Sequence, residues 1–281
     1  MTAVSPRTQA VRSFRSARRR AQRVPVRRRN LERTIMIVSP ILVLGLWELC
    51  AYLRLVDTRF FPAPSSIAVA FWQSLVNGLL VANVAASVSR ILIGFVIGAI
   101  PAIVLGITMG QMPLVRSFFQ PLIDATFPIP KLALLPLLIL VFGPNEPSKY
   151  AIIAITVFYL VLANTAAGVR NIDKAYLDVA RNAGASRWLV FWGVALPGAA
   201  PMILTGVRLA LNVALLIIVA TEFVGATSGV GYMIWNSWQI FQVDLMYVGL
   251  VTTAILGILI ALVITLLEKI LVPWKTYDVN S

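Results

Sequence analysis

Six stretches of this chain are long enough and apolar enough to cross a lipid bilayer as helices: Ile35–Leu53, Val84–Met109, Pro121–Phe142, Tyr150–Gly168, Met202–Gly225 and Leu245–Val272. About 20 mainly apolar residues span the hydrocarbon core, and there every backbone polar group must find its partner inside the protein. The pattern therefore predicts an all-α membrane protein with six transmembrane helices. Of the 281 residues, 59% are hydrophobic and only 12% charged, about half the charge of an ordinary soluble domain. One membrane domain accounts for the whole length. The third stretch is interrupted by Pro128, Pro130 and Pro136 and contains Lys131, so a broken helix supported by its neighbours is expected there.

Charge placement sets the expected orientation. Residues 1–33 carry eleven Arg and one acid, Glu32, which leaves a net +3 on the remainder of a chain whose total is +13. Residues 1–34 are read as a disordered basic cytoplasmic arm, since such a segment buries too little apolar surface to fold alone. A nucleic-acid role is set aside because no recognition fold follows; the arm instead rests on anionic lipid and fixes the first helix with its N-terminus inside. A cleaved signal is set aside as well, because Glu48 interrupts the apolar run and no A-x-A site follows. The expected organisation continues with a first helix and external loop at 35–83, a five-helix core at 84–272 and a tail at 273–281. Arg116 in loop 110–120, the basic residues of loop 169–201, and a loop 226–244 without Lys or Arg place both termini in the cytoplasm by the positive-inside rule.

Several kinds of chemistry are excluded by what is missing. The chain has no His and one Cys, Cys50, which removes imidazole catalysis, thiolate clusters and nearly every zinc or haem site. The five Lys follow Pro130, Ser148, Asp173, Glu268 and Trp274. No Gly-Lys pair exists, so no P-loop can form.

The connection at 169–201 is the longest predicted on the cytoplasmic side. Lys174 to Gly184 has the spacing of a short amphipathic helix, with Leu177, Ala180 and Gly184 on one side and Asp178, Arg181 and Asn182 on the other. Trp188, Leu189, Phe191 and Trp192 follow, and Leu196-Pro197 and Pro201 are expected to stop the chain before the fifth span. Such a helix suits docking into a groove on a partner or lying on lipid.

Within this connection, Asp178-Val179-Ala180, three residues, Gly184, nine residues, and Val194-x-Leu196-Pro197 closely resemble the EAA motif (E-A-A-x3-G-x9-I-x-L-P) of ATP-binding-cassette importer permeases. The spacing agrees throughout; Asp, Val and Val replace Glu, Ala and Ile. Pro128-Ile129-Pro130-Lys131-Leu132-Ala133-Leu134-Leu135-Pro136 and Gly206-Val207-Arg208-Leu209-Ala210-Leu211 look like segments of the nitrate/sulfonate/taurine branch. The resemblance spans about residues 35–275. It implies a multi-pass subunit of a type I importer in the plasma membrane of a prokaryote, working as a homodimer because the chain carries one EAA-like loop and two are needed. It further implies a cytosolic ATPase dimer that binds ATP and Mg, an extracellular solute-binding protein, and no cofactor in this chain. The rival reading is a secondary transporter driven by an ion gradient, which calls for mid-membrane carboxylates and internal repeats.

Charges inside spans are functional hypotheses. Arg208 and Glu222 are 14 residues apart on the fifth span, roughly 21 Å along an ideal helix, so each needs a partner elsewhere. With Asn212 and Thr221 they mark that span as a candidate wall of a translocation path, or as bundle glue. Arg90 and Lys131 either attract an anion or snorkel to the two interfaces. Glu48 is expected to be a helix-packing residue that faces another subunit or span, and Glu268 with Lys269 to anchor the sixth span at an interface. Gly225, Gly229 and Gly231 with Trp235 and Trp238 form either a mouth for the binding protein or a turn and aromatic belt. Gly94-x-x-x-Gly98 and Gly106-x-x-x-Gly110 are read as helix packing.

Overall fold

Proline and glycine set where the helices of this chain begin, bend and end. A computed structural model describes residues 26–274. Its elements are α1 (Val26–Tyr52), α2 (Pro64–Val76), α3 (Leu79–Gln111), α4 (Pro113–Thr126), a 3-10 turn (Lys131–Leu134), α5 (Leu135–Phe142), α6 (Glu146–Arg170), α7 (Lys174–Asn182), α8 (Arg187–Val190), a π-turn (Phe191–Ala195), α9 (Leu196–Glu222), α10 (Val230–Gln239) and α11 (Val243–Leu271). Among the described residues there are no strands. Among the described residues five helices are long and apolar enough to span a membrane: Thr34–Tyr52, Leu79–Gln111, Glu146–Arg170, Trp188–Glu222 and Val243–Leu271. The pair Pro113–Thr126 and Lys131–Phe142, bent by 87°, passes the same test only when taken together, which gives five to six candidate spans among the described residues. Pro128 and Pro130 lie in the break; neither donates an N–H, and each biases the residue before it away from helix.

The chain forms two compact units, one ending at Ser65 and one beginning at Ser66. In the first, the helix starts at Val26, well before the expected Ile35, while residues 1–25 of the expected arm lie outside the described residues. Glu48 is bound to the start of α2. Its carboxylate accepts 3.0 Å from the Ser65 N–H and 2.7 Å from the Ser65 hydroxyl, filling an orphan donor in the first turn of α2. Asp57 is gripped by Arg59, whose Nε and Nη2 donate at 3.1 and 2.8 Å.

In the second unit α6 is the central helix, packed along α3 on one side and α9 on the other, with α10 and α11 against α9. The contact between α3 and α6 is made by small residues every fourth position: Gly94, Gly98, Ala102, Gly106 and Gly110. A Cβ on Gly94 would lie 2.6 Å from that of Ile153, one on Gly106 2.7 Å from that of Thr165, and one on Gly98 would strike the Ala154 carbonyl. Close backbone approach of this kind replaces the hydrophobic drive that is missing in lipid. The main core gathers Ile152, Val157, Val161, Ala210, Ala214 and Ile218, all fully buried or nearly so.

Three connections differ from expectation. Most of 110–120 is helix, because Met112 is extended and Pro113 opens α4 at a position where no N–H is needed. The segment 226–244 contains α10. Leu196-Pro197 and Pro201 do not stop the chain: the helix runs unbroken from Trp188 to Glu222 over 35 residues. The π-turn explains this. The Leu196 N–H reaches back to the Phe191 carbonyl, five residues away, and the widened turn relieves the clash a proline ring makes with the carbonyl four residues earlier.

Candidate functional site

Four places bring the chemistry-bearing residues together, and the loop around α7 is the first. Its helix ends at Asn182, and Gly184 follows with φ +71°. The Ala185 N–H bonds to Ala180 O and the Ala183 N–H to Val179 O, both at 3.0 Å. The six-to-one bond is a Schellman closure, which needs a left-handed residue one past the cap. That is the physical reason for a glycine directly after Asp178-Val179-Ala180 and the three-residue spacer. A Cβ at Gly184 would meet nothing within 4 Å, so the requirement is backbone conformation and not space. Val194, Leu196 and Pro197 lie at the root of the loop, where Ala195 and Ala199 are fully buried against Ile107, Val169 and Ile203. Above that root Tyr176, Val179, Trp188, Leu189 and Trp192 are more than half exposed or close to it. Trp188, Phe191 and Trp192 contact one another, with centroids 5.2 to 6.1 Å apart. Asp178 is exposed on the same helix.

The second place is a buried ion cluster at one end of α3, α6 and α9. Arg90 donates from Nε and Nη2 to Glu146 at 2.7 Å each. Its Nη1 reaches Glu222 at 2.7 Å and the Ser228 carbonyl at 2.6 Å, and Nη2 reaches the Ser228 hydroxyl at 3.0 Å. Five donors meet five acceptors, the full capacity of a guanidinium. Glu222 also accepts from the Ser87 hydroxyl at 2.8 Å and the Gly231 N–H at 2.8 Å. The Val230 N–H bonds to Ser87 Oγ at 2.9 Å and the Gly229 N–H to Asn83 Oδ1 at 2.8 Å. Lys149 reaches Glu146 at 3.3 Å. Two cations thus face two carboxylates. The expected snorkelling of Arg90 is corrected: it is 3% exposed and fully bonded. Gly229 and Gly231 are the floor of the cluster, since a Cβ on Gly229 would strike the Glu222 carboxylate.

The third place is a lighter tie between α9 and α11. Arg208 Nη2 donates to Glu268 at 2.8 Å and Thr265 at 3.3 Å, with the arginine partly exposed and Glu268 buried. Glu268 is therefore turned into the bundle and is not an interface anchor. Arg208, Asn212, Thr221 and Glu222 share one helix but not one surface: Asn212 is exposed, while Thr221 is fully buried and donates to its own helix at Ile218 O.

The fourth is a cleft of about 450 Å³ at the α4–α5 break, bounded by Ile97, Ala154, Phe158, Tyr159, Thr126 and Lys131 among others. Sequence reasoning named Lys131 and missed its surroundings. It also missed Asn83 and Ser87, although Asn83, Ser87 and Arg90 recur at helical spacing as a polar stripe in an apolar span. Glu146 was not named as a site residue, since its partner Arg90 lies on another helix.

A bundle of apolar helices with a broken third span, a rooted loop bearing an exposed aromatic cluster and a charge-neutral internal lock define a polytopic membrane subunit. Residues 102–277 match the family model described as "Binding-protein-dependent transport system inner membrane component", and the chain belongs to that family. It is 34% identical over 246 residues to the taurine transport system permease protein TauC of Escherichia coli (strain K12), covering 86% of this chain and 90% of that one. It is 35% identical over 236 residues to the putative aliphatic sulfonates transport permease protein SsuC of the same strain, covering 84% and 90%. Its fold matches a chain of the MetNI methionine ABC transporter in an inward-facing conformation, with TM-score 0.59 and 19% identity, over 71% of this chain and 97% of that one. The protein is a multi-pass inner-membrane permease of the nitrate/sulfonate/taurine branch.

Proposed function

We propose that this chain is the path-forming permease subunit of an ATP-driven importer for a small anion of the taurine, sulfonate or nitrate type. Two copies form the pathway, a cytosolic ATPase dimer hydrolyses ATP with Mg, and an extracellular binding protein delivers the cargo. The chain itself hydrolyses nothing. Asp178, Val179, Ala180, Gly184, Val194, Leu196 and Pro197 make up the ATPase-coupling segment on the cytoplasmic side. The observation that carries this reading is the construction of the loop: a nine-residue helix, closed by a left-handed Gly184, stands on a root with no exposed alanine at 195 or 199 and presents uncovered aromatics. A lever rooted in the core transmits a push, whereas a floppy loop absorbs it. Closure of the ATPases is thereby converted into rocking of the bundle, the usual form of alternating access.

The path candidates fall into two groups. Arg90 and Glu222 are bonded across helices and hold the bundle together, and Thr221 bonds within its own helix. Lys131, Asn212 and partly exposed Arg208 keep faces open toward a path. The decisive experiment is reconstitution with the co-purifying ATPase and receptor in liposomes. Vanadate-sensitive, ATP-dependent uptake of taurine or an alkanesulfonate is expected; uptake that ignores nucleotide and follows an ion gradient establishes a secondary transporter instead.

A further inference from the structure

We propose that the cleft at the α4–α5 break binds the head group of an organic anion, with Lys131 as its ammonium contact and the apolar wall as the seat of a short alkyl chain. The proposal rests on the permease reading, and it identifies one site and one chemistry within that reading.

The argument starts from charge. Cations held within spans are costly unless compensated, and three of them here are compensated by carboxylates: Arg90 by Glu146 and Glu222, Lys149 by Glu146, and Arg208 by Glu268. Lys131 is different. Its Nζ donates to two neutral acceptors, Thr126 O and Phe127 O, each at 3.0 Å. It stands 4.1 Å from the Tyr159 ring centroid and 5.7 Å from that of Phe127. Both carbonyls lie where α4 ends, that of Thr126 also accepting the Ile129 N–H at 3.2 Å, and they carry only the fractional negative charge of a helix terminus. With the Tyr159 face they aim the ammonium, and they leave its charge without a carboxylate partner among the described residues.

The surroundings say what completes it. The Tyr159 hydroxyl donates to Thr126 Oγ1 at 2.7 Å, which fixes the ring beneath the ammonium. Beyond it, Ile97, Ala154 and Phe158 supply apolar wall, and the cleft of about 450 Å³ lies in the range that small-molecule sites occupy. A lone charge beside an apolar wall matches a ligand with one anionic end and one hydrocarbon end. An alkanesulfonate has that shape, and a bare inorganic anion has no use for the wall. The head group of an anionic lipid carries the same chemistry, so the test must separate the two.

The test is equilibrium binding of radiolabelled 1-hexanesulfonate to the full permease–ATPase complex in nanodiscs of phosphatidylcholine, without receptor. Saturable binding is expected, weakened roughly tenfold or more in Lys131→Gln, as loss of one charge-assisted contact requires, and kept within a few-fold in Lys131→Arg. Hexanol should not compete. A thermal melt of each variant separates lost binding from lost fold, and Tyr159→Phe, which keeps the ring, should bind nearly as wild type. Absence of saturable binding to wild type, or equal binding by Lys131→Gln, overturns the site. Lys131-dependent displacement of the sulfonate by phosphatidylglycerol built into the disc also overturns it, since the cleft is then a lipid site. Uptake into liposomes is scored separately: a complex that binds hexanesulfonate through Lys131 but shows no ATP-dependent uptake refutes the permease reading and leaves the site standing.

Discussion

The two halves of the helical bundle hold their charges in opposite ways. At one end Arg90, Lys149, Glu146 and Glu222 form a closed, neutral cluster in which every guanidinium donor is used and loop amides at Gly229, Val230 and Gly231 are bound as well. Four elements, α3, α6, α9 and the turn before α10, are thereby joined. Toward the other end a single arginine, partly exposed, ties α9 to α11 through one carboxylate, and the α7 loop lies open. The contrast teaches which half of the bundle moves as one body. Opening the first end breaks many bonds at once and strands buried charge; adjusting the second costs one partly solvated pair.

The strongest way to break this comparison is Glu222→Ala. It leaves one of the two Arg90 Nη1 hydrogens, the Ser87 hydroxyl and the Gly231 N–H without their carboxylate acceptor in a buried site, and removing one partner of a buried pair costs about 3–5 kcal/mol. A large fall in the thermal midpoint of the detergent-solubilised protein is expected. A midpoint within error of wild type would mean that water reaches the cluster and that the lock is no lock. Gly98→Val comes next. Its side chain must displace the Ala154 backbone, so about 1–3 kcal/mol of overpacking is expected, read by the same melt, while a matching change at Gly45, which has open space around it, should be nearly silent.

The open end is sharpened by Gly184→Val. Forcing a branched residue to φ +71° costs about 1–2 kcal/mol confined to the loop, so the global melt should barely move while co-purification of the ATPase and coupled uptake fall. Gly184→Asn, which tolerates the left-handed region, should retain most of both. Equal retention by Val and Asn would remove the loop from the coupling role. Arg208→Gln is expected to cost about 1 kcal/mol, the scale of a partly exposed charged hydrogen bond, and so to lower the midpoint far less than Glu222→Ala.

How much of this was legible beforehand follows from the range of each interaction. Membrane spans are a property of composition over about 20 residues, and the broken third span was marked by Pro128 and Pro130. The packing glycines at 94, 98, 106 and 110 and the helix of α7 follow from local period. The readings that went astray depend on what lies across space. Pro197 and Pro201 look like stops until a π-turn is placed before them. Glu268 beside Lys269 looks like an interface pair because the carboxylate's actual partner, Arg208, is 60 positions away. Likewise Arg90 and Glu146 are 56 positions apart, and nothing local says that they meet. The deduction that Arg208 and Glu222 each need another partner was available from helix rise alone; which partner was not.

The smallest expected effect lies in the pair that shares neither half of the bundle. Asp57 and Arg59 are joined by a two-bond fork, yet Arg59 is 82% and Asp57 42% exposed. Hydrogen bonds from the Arg59 side chain, then from its backbone N–H, hold the Asp57 carboxyl below its ordinary value of 3.8. A depressed folded-state value means that any stabilisation is present above the unfolded value and is lost as pH falls through the folded one. Because both groups are solvated, an ion pair of this kind adds little to stability. Arg59→Gln is therefore expected to raise the Asp57 titration midpoint, followed by the carboxyl carbon signal in NMR, while leaving the thermal midpoint unchanged between pH 5 and 8. Geometry as good as that around Arg90 would then yield none of its stabilisation, because what separates the two is the absence of water and not the quality of the hydrogen bonds. A fall in midpoint comparable with that of Glu222→Ala would show the opposite and dissolve the distinction between the enclosed cluster and the exposed pair.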